Sequence, residues 1–284
     1  MCIRDRYGTW IIREIESPKG YVLSEEEIAV TIGKVDEVVE IELVNYFIKG
    51  NIALTKVDED YPDNKLSGAV FEVYSDTNGD GKLDKDDTLL GEMKELDGGV
   101  YQMSELRYGK YLVKETKAPT GFVLDEDVYA VSIEENGKTY TVENKAGVGF
   151  INAAQKGSLK IVKTSSDGKV EGFSFRVTGV YYDQTFKTDK NGEIVIEGLR
   201  IGDYTVSEVS DKASAGYILP ADKQATVKVD ATAIVQMHNE FRDTPKTGDD
   251  FNLGLWVSLA ALSVVGAGVL GFVGYKNRKK KKED

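Results

Sequence analysis

Lys56, Glu115 and Asn152 place one amine, one carboxyl and one carboxamide in a fixed order along the chain, and Lys163, Glu208 and Asn239 repeat that order. Each closes a short run of alternating apolar residues. Strand side chains two apart share a face, so Ile52, Leu54 and Lys56 point together, as do Leu159, Ile161 and Lys163. The same reading groups Tyr111 and Val113 with Glu115, Tyr204 and Val206 with Glu208, Val148 and Phe150 with Asn152, and Val235 and Met237 with Asn239. Polar groups aimed into an apolar core are costly unless they meet partners there. Each set is therefore expected to converge. An incomplete set precedes them: Glu14 shares a face with Trp10 and Ile12, and Asn45 with Ile41 and Leu43.

A second pattern concerns hard cations. The segment from Asp76 to Asp87 has oxygen-bearing side chains at Asp76, Asn78 and Asp80, then Gly81, the main-chain carbonyl of Lys82, Asp84, and Asp87 at the twelfth place. This is the ligand spacing of an EF-hand calcium loop, in which the glycine allows the chain to wrap the ion. Asp87 stands where a bidentate Glu is usual. One Ca2+ is the expected occupant. Other chemistry is sparse: His238, the only histidine, lies beside Asn239 on the outward face, and no Ser-His-Asp, zinc or phosphate-loop constellation is visible. No enzyme is expected in this stretch.

The elements that must position these residues occur as repeats. Residues 7–14, 108–115 and 201–208 are one segment three times, each with Gly second and Glu last. Each is followed by a turn and an aromatic: Ser17-Pro18-Lys19-Gly20-Tyr21, Ala118-Pro119-Thr120-Gly121-Phe122, and Ala215-Gly216-Tyr217. Asn51–Lys56 recurs as Ser158–Lys163, and the closing segment as 41–45, 148–152 and 235–239. Hence residues 7–47 read as the C-terminal part of one unit, and 48–155 and 156–242 as two complete units. The lysine-to-glutamate spacing is 59 residues in the first complete unit and 45 in the second, so the loop at 76–87 reads as an insertion. Fifteen Tyr and 29 Gly among many Val, Ile and Thr favour strands and turns. The only cysteine is Cys2, so no internal disulfide can staple the units. A net charge of −12 argues against nucleic acid or an anionic membrane surface as a partner.

These three strands in register resemble the collagen-adhesin B-type, or SpaA-like pilin, domain over about residues 7–242. The resemblance implies an all-β fold of tandem immunoglobulin-like (prealbumin-like) β-sandwiches. It also implies intramolecular isopeptide bonds: Lys56 with Asn152 assisted by Glu115, and Lys163 with Asn239 assisted by Glu208. Glu14 and Asn45 are the matching acid and amide of the first unit, without a lysine. The setting suits such chemistry, because desolvation makes a lysine neutral and nucleophilic and keeps a glutamic acid protonated to polarise the amide.

Thr244-Pro245-Lys246-Thr247-Gly248, an uncharged apolar run of 23 residues from Leu253 to Tyr275, and the basic tail 276–284 follow in that order. The run is long enough for a single transmembrane helix, and the Lys/Arg cluster after it places the rest outside the cytoplasm. Together they resemble a sortase cell-wall sorting signal, residues 243–284, with Thr244 in the place of the usual Leu. The resemblance implies cleavage between Thr247 and Gly248 by a sortase and transfer to a peptidoglycan precursor or another pilin. It also implies a Gram-positive cell surface, where the protein is attached covalently to the wall and the membrane is used only before processing. Residues 1–6 look like translated adapter sequence, and no export signal precedes Tyr7. The function expected is a wall-anchored stalk or adhesin for a host or extracellular-matrix ligand. The alternatives are a basal or tip pilus subunit, or the stalk of a surface hydrolase whose catalytic domain lies upstream. A shaft subunit fits less well, since Tyr61-Pro62 is followed by Asp63 rather than by a linking lysine.

Overall fold

A computed structural model describes residues 7–242. All its regular structure is β, and among the described residues no helix is long and apolar enough to cross a membrane. The first unit contributes β1 (Gly8–Arg13) and β2 (Glu27–Ile32), an antiparallel pair with Gly8 opposite Ile32. The middle unit contributes nine strands: β3 (Lys49–Asp58), β4 (Val70–Ser75), β5 (Thr88–Glu92), β6 (Lys94–Asp97), β7 (Val100–Arg107), β8 (Gly109–Lys117), β9 (Val128–Ile133), β10 (Thr139–Thr141) and β11 (Phe150–Asn152). The third unit contributes β12 (Lys156–Ser165), β13 (Ser174–Gly179), β14 (Tyr182–Lys187), β15 (Glu193–Arg200), β16 (Gly202–Glu208), β17 (Tyr217–Ile218), β18 (Lys223–Val227) and β19 (Thr232–Phe241).

Each complete unit is two sheets face to face. In the middle unit one sheet runs β10-β3-β7-β6, with β11 also on β3, and the other β5-β4-β8-β9. The third unit repeats this as β15-β12-β19-β17 and β14-β13-β16-β18. The first and last strands of each unit are therefore neighbours, and they run parallel. Alternation places Ile52, Leu54, Phe71, Val73, Tyr101, Val113 and Phe150 in one core and Leu159, Ile161, Phe175, Val177, Val206 and Met237 in the other.

Two departures from the sequence reading have local causes. The closing strand of the middle unit is split: β10 pairs with Asn51–Ala53 and β11 with Lys56–Asp58, and Val148 lies outside either strand. Gly149, at φ +129°, brings the chain back against β3 so closely that a Cβ there would lie 2.8 Å from the Thr55 carbonyl oxygen. In the third unit β19 runs unbroken beside β12. In the first unit, residues 41–45 form no strand, since among the described residues no first strand lies beside them to pair with, and Trp10 and Ile12 are exposed at 45% and 37%.

Candidate functional site

Parallel pairing sets the geometry of the middle unit's polar set. Lys56 on β3 lies opposite Phe150 on β11, and Asn152, two residues on, lies opposite Asp58, so lysine and asparagine are diagonal neighbours on one inward face. Glu115, two residues before the end of β8, faces them from the opposing sheet, in register with Phe71 of β4. Lys56, Glu115 and Asn152 are all buried, the first two completely. The Asn152 side-chain amide donates to Glu115 Oε1 at 3.0 Å and Oε2 at 2.9 Å. The Asp125 main-chain N–H adds a third bond to the carboxyl at 2.9 Å. Lys56 Nζ stands 4.0 Å from Glu115 Oε1 and donates to the Phe150 carbonyl at 3.0 Å, beside the Phe150 ring. Burial lowers the Lys56 pKa to about 8, against the pull of Glu115, Asp125 and Asp58. Burial likewise raises that of Glu115, against its hydrogen bonds from Asp125 and Asn152.

The third unit reproduces the arrangement. Lys163 on β12 lies opposite Met237, and Asn239 lies opposite Ser165. Glu208 again faces them, here in register with Phe175. The Asn239 amide donates to Glu208 Oε1 at 2.7 Å. Lys163 Nζ donates to the Thr164 carbonyl and sits 4.2 Å from the centre of the Phe173 ring. Burial lowers the Lys163 pKa and raises that of Glu208. The turn after Glu208 has Ser214 where the middle unit has Pro119, and it closes with the same bond: Tyr217 N–H to the Ser214 carbonyl, as Phe122 N–H to that of Pro119.

Among the described residues three buried side-chain oxygens lack a hydrogen-bond partner, and all three belong to these sets: Asn152 Oδ1, Asn239 Oδ1 and Glu208 Oε2. Buried polar atoms without partners are uncommon, and each calls for a cause. In the first unit Glu14 and Asn45 also meet, the Asn45 amide donating to both carboxylate oxygens at 2.9 and 2.7 Å, and Ser24 N–H replaces the Asp125 contact at 2.8 Å. The pair there is half-buried rather than enclosed.

The loop 76–87 joins β4 to β5, where the third unit has only a tight turn at 180–181 between β13 and β14. Its acids are engaged with the loop's own main chain: Asp76 accepts from Gly79 and Gly81 N–H at 2.6 and 3.1 Å, Asn78 Oδ1 from Asp80, Asp80 from Lys82, and Asp87 from Thr77 and Asp84. Asn78 Nδ2 donates to Asp84 at 3.0 Å. Among the described residues no three acidic, histidine or cysteine side chains gather as a metal-holding group. His238 is exposed and bonds Thr164 and Glu240 on the outer face. Thr247 and Gly248, with the apolar run 253–275, lie outside the described residues.

Sequence reasoning missed Phe150 and Phe173, whose rings line the lysine pockets, and the Asp125 N–H. The rings were visible only as core residues, and a main-chain donor leaves no signal in side-chain type. It missed altogether the contact between units made by Arg200.

The family model for the SpaA prealbumin-like fold domain matches residues 50–146 and 157–241. Among solved structures, the Bacillus anthracis TIE protein is similar with a TM-score of 0.62 at 27% identity, over 83% of this chain and 42% of its own. This chain thus spans under half the length of that structure. GBS52, the minor pilin of the Gram-positive pathogen Streptococcus agalactiae, matches with a TM-score of 0.33 at 17% identity over 70% of this chain and 98% of its own. The pilus adhesin SpaC from Lactobacillus rhamnosus GG matches with a TM-score of 0.41 at 15% identity over 69% of this chain and 32% of its own. No curated protein matches.

Proposed function

From a chain that belongs to the SpaA family of prealbumin-like fold domains, we propose a structural role: a wall-anchored surface stalk or adhesin whose two complete units close themselves with Lys56–Asn152 and Lys163–Asn239 isopeptide bonds. The observation that supports it most is the same register of amine, carboxyl and amide in both units, all three buried in the middle unit and Lys163 and Asn239 buried beside a half-buried Glu208 in the third, with the amide oxygens left without partners.

The chemistry follows from the burial. Desolvation favours the neutral lysine and the protonated glutamic acid over the ion pair. A protonated Glu115 donates to Asn152 Oδ1 once the amide turns over, which gives that oxygen its partner and polarises the carbonyl carbon. The Lys56 amine attacks that carbon. Its surplus proton passes through Glu115 to the amide nitrogen, which leaves as ammonia, so one C–N bond forms, one breaks, and Glu115 is regenerated. Glu208 acts in the same way on Lys163 and Asn239. No oxidant, reductant or further reactant is needed.

The bond joins the first strand to the last and encloses nearly the whole unit. By the chain-entropy argument for long-loop disulfides it stabilises by roughly 4 kcal/mol. In this reading the sorting signal is cut by a sortase at Thr247-Gly248, and the loop 76–87 takes one calcium ion.

The test is intact-protein mass. Residues 48–242 should weigh less than their sequence by two ammonia molecules. Glu115→Ala should restore one and Glu208→Ala the other, each lowering the unfolding temperature of its own unit. A folded protein with the full sequence mass refutes the bonds.

A further inference from the structure

Arg200 closes β15 of the third unit, yet its guanidinium serves the middle unit. Nη1 and Nη2 donate to the two oxygens of Asp58 at 2.6 and 2.7 Å, and Nη2 donates again to Asp60 at 2.8 Å. Its planar face lies 4.9 Å from the centre of the Tyr61 ring, which in turn packs 4.6 Å from Tyr181. Such two-pronged pairing is among the strongest a carboxylate makes. The main chain joins the units at the same place: Gln155 N–H donates to the Gly121 carbonyl, and Ile201 N–H to that of Gln155.

Asp58 is no neutral anchor. It is 1% exposed, sits two residues beyond Lys56 on β3, and is paired in register with Asn152. Glu59 N–H also bonds the Asn152 carbonyl at 3.1 Å. The clamp therefore grips the end of β3, which carries Lys56 and pairs with the end of β11 that carries Asn152. We propose that Arg200 is a positioning residue for the middle unit's cross-link: by neutralising Asp58 and holding the end of β3 against β11, it lets Lys56 act as a neutral amine, so that docking of the third unit promotes closure of the second.

The electrostatics agree in sign. The acids acting on Lys56 are Glu115 beside it, Asp125 from the segment after β8, and Asp58 on its own strand; all three favour the charged amine. Asp125 is occupied by Asn144 and by Tyr129 of β9, and β11 presents only the neutral Asn152 and Phe150. Burial works to raise the Asp58 pKa, but Arg200, helped by the Asp60 and Tyr61 N–H groups, holds that carboxyl below the usual range, so it is ionised, and without Arg200 no cation would pair with it. The third unit has Ser165 in the corresponding place, two residues after Lys163; the acid that acts on Lys163 there besides Glu208 is Asp167, which is paired with Lys169 of its own unit and needs no clamp from a neighbour.

This inference rests on the cross-link reading. The full chain, recovered uncross-linked from inclusion bodies, is refolded in detergent at a series of pH values, and ammonia loss is followed by peptide mass in each unit separately. Arg200→Gln should slow closure of the middle unit and move the rising limb of its pH profile upward by about half a unit, roughly threefold in rate at fixed pH, while the third unit closes at the wild-type rate. Adding Asp58→Asn to Arg200→Gln should restore rate and profile, and Asp58→Asn alone should move the limb downward. A middle unit that closes in Arg200→Gln as in wild type overturns the inference, and so does slowing that Asp58→Asn leaves uncorrected. Third-unit closure reports that the third unit of each variant has folded, and restored closure in Arg200→Gln with Asp58→Asn reports that the middle unit folds without the arginine. If the wild-type middle unit forms no bond at all, the cross-link reading fails and this inference falls with it.

Discussion

Lys56 and Glu115 are a buried amine and acid that the middle unit encloses at a cost, and titration exposes that cost. In Asn152→Ala the bond cannot form, and Lys56 keeps a free amine whose pKa burial lowers from 10.5 to about 8. Between those values the unfolded chain binds a proton that the folded unit does not, so stability rises with pH, by up to about 3 kcal/mol across the window. Glu115 acts oppositely: burial raises its folded value above 4.5, so the folded unit holds a proton that the unfolded chain has lost, and stability falls as pH rises from 4.5. The middle unit of Asn152→Ala should therefore pass through a minimum and recover between about pH 8 and 10.5 in denaturant titrations that resolve it. In wild type the alkaline recovery should be absent if the proposed bond has turned the amine into an amide. The same recovery in wild type would mean that Lys56 is still free.

At the scale of elements, the alternation of side chains along strands made the polar sets legible in the sequence itself, because a lysine that ends a run such as Ile52, Leu54, Lys56 has only the core to face. The parallel contact of first and last strands then put Lys56 and Asn152 together. What escaped was set by partners outside the strand concerned. The split of the closing strand into β10 and β11 depends on the tight approach of Gly149 to Thr55, and the Arg200–Asp58 clamp crosses from one unit to the next with no period to announce it. The loop 76–87 was legible as a ligand series but not as a gathered site. Its acids spend lone pairs on their own main chain, which fixes a turn of the right connectivity and leaves each carboxylate oxygen a further lone pair for a cation. Isothermal calorimetry on the protein should detect one calcium ion, of the weak affinity usual in extracellular modules, and bound calcium should protect the loop from proteolysis. The heat should vanish in Asp80→Ala with Asp87→Ala. No calcium heat in the unmutated protein removes the site.

For the molecule as a whole, the two closures and the clamp suggest how a pull would travel. Load entering β3 passes from Lys56 to Asn152 through the proposed bond, bypassing the strands between, and reaches the third unit through Gln155, which is bonded to Gly121 on one side and Ile201 on the other. There Lys163 and Asn239 repeat the shortcut, and the chain continues from β19 toward Thr244. A load-bearing series of this kind is useful only if its far end is held covalently. In the proposed anchoring, Thr244 to Gly248 is the peptide on which a transpeptidase would act. The acyl group of Thr247 would then pass to an amine of the wall precursor, leaving Gly248 and everything after it in the membrane. Expressed with a sortase in a Gram-positive host, the protein should be released by muramidase digestion as wall-linked fragments that lack residues 248–284. Thr247→Ala should instead leave it extractable by detergent, at full length and with both cross-links intact, since the stalk's chemistry is separate from its anchoring. A wall-bound fraction unchanged by Thr247→Ala would show that the C-terminal run is an ordinary membrane anchor.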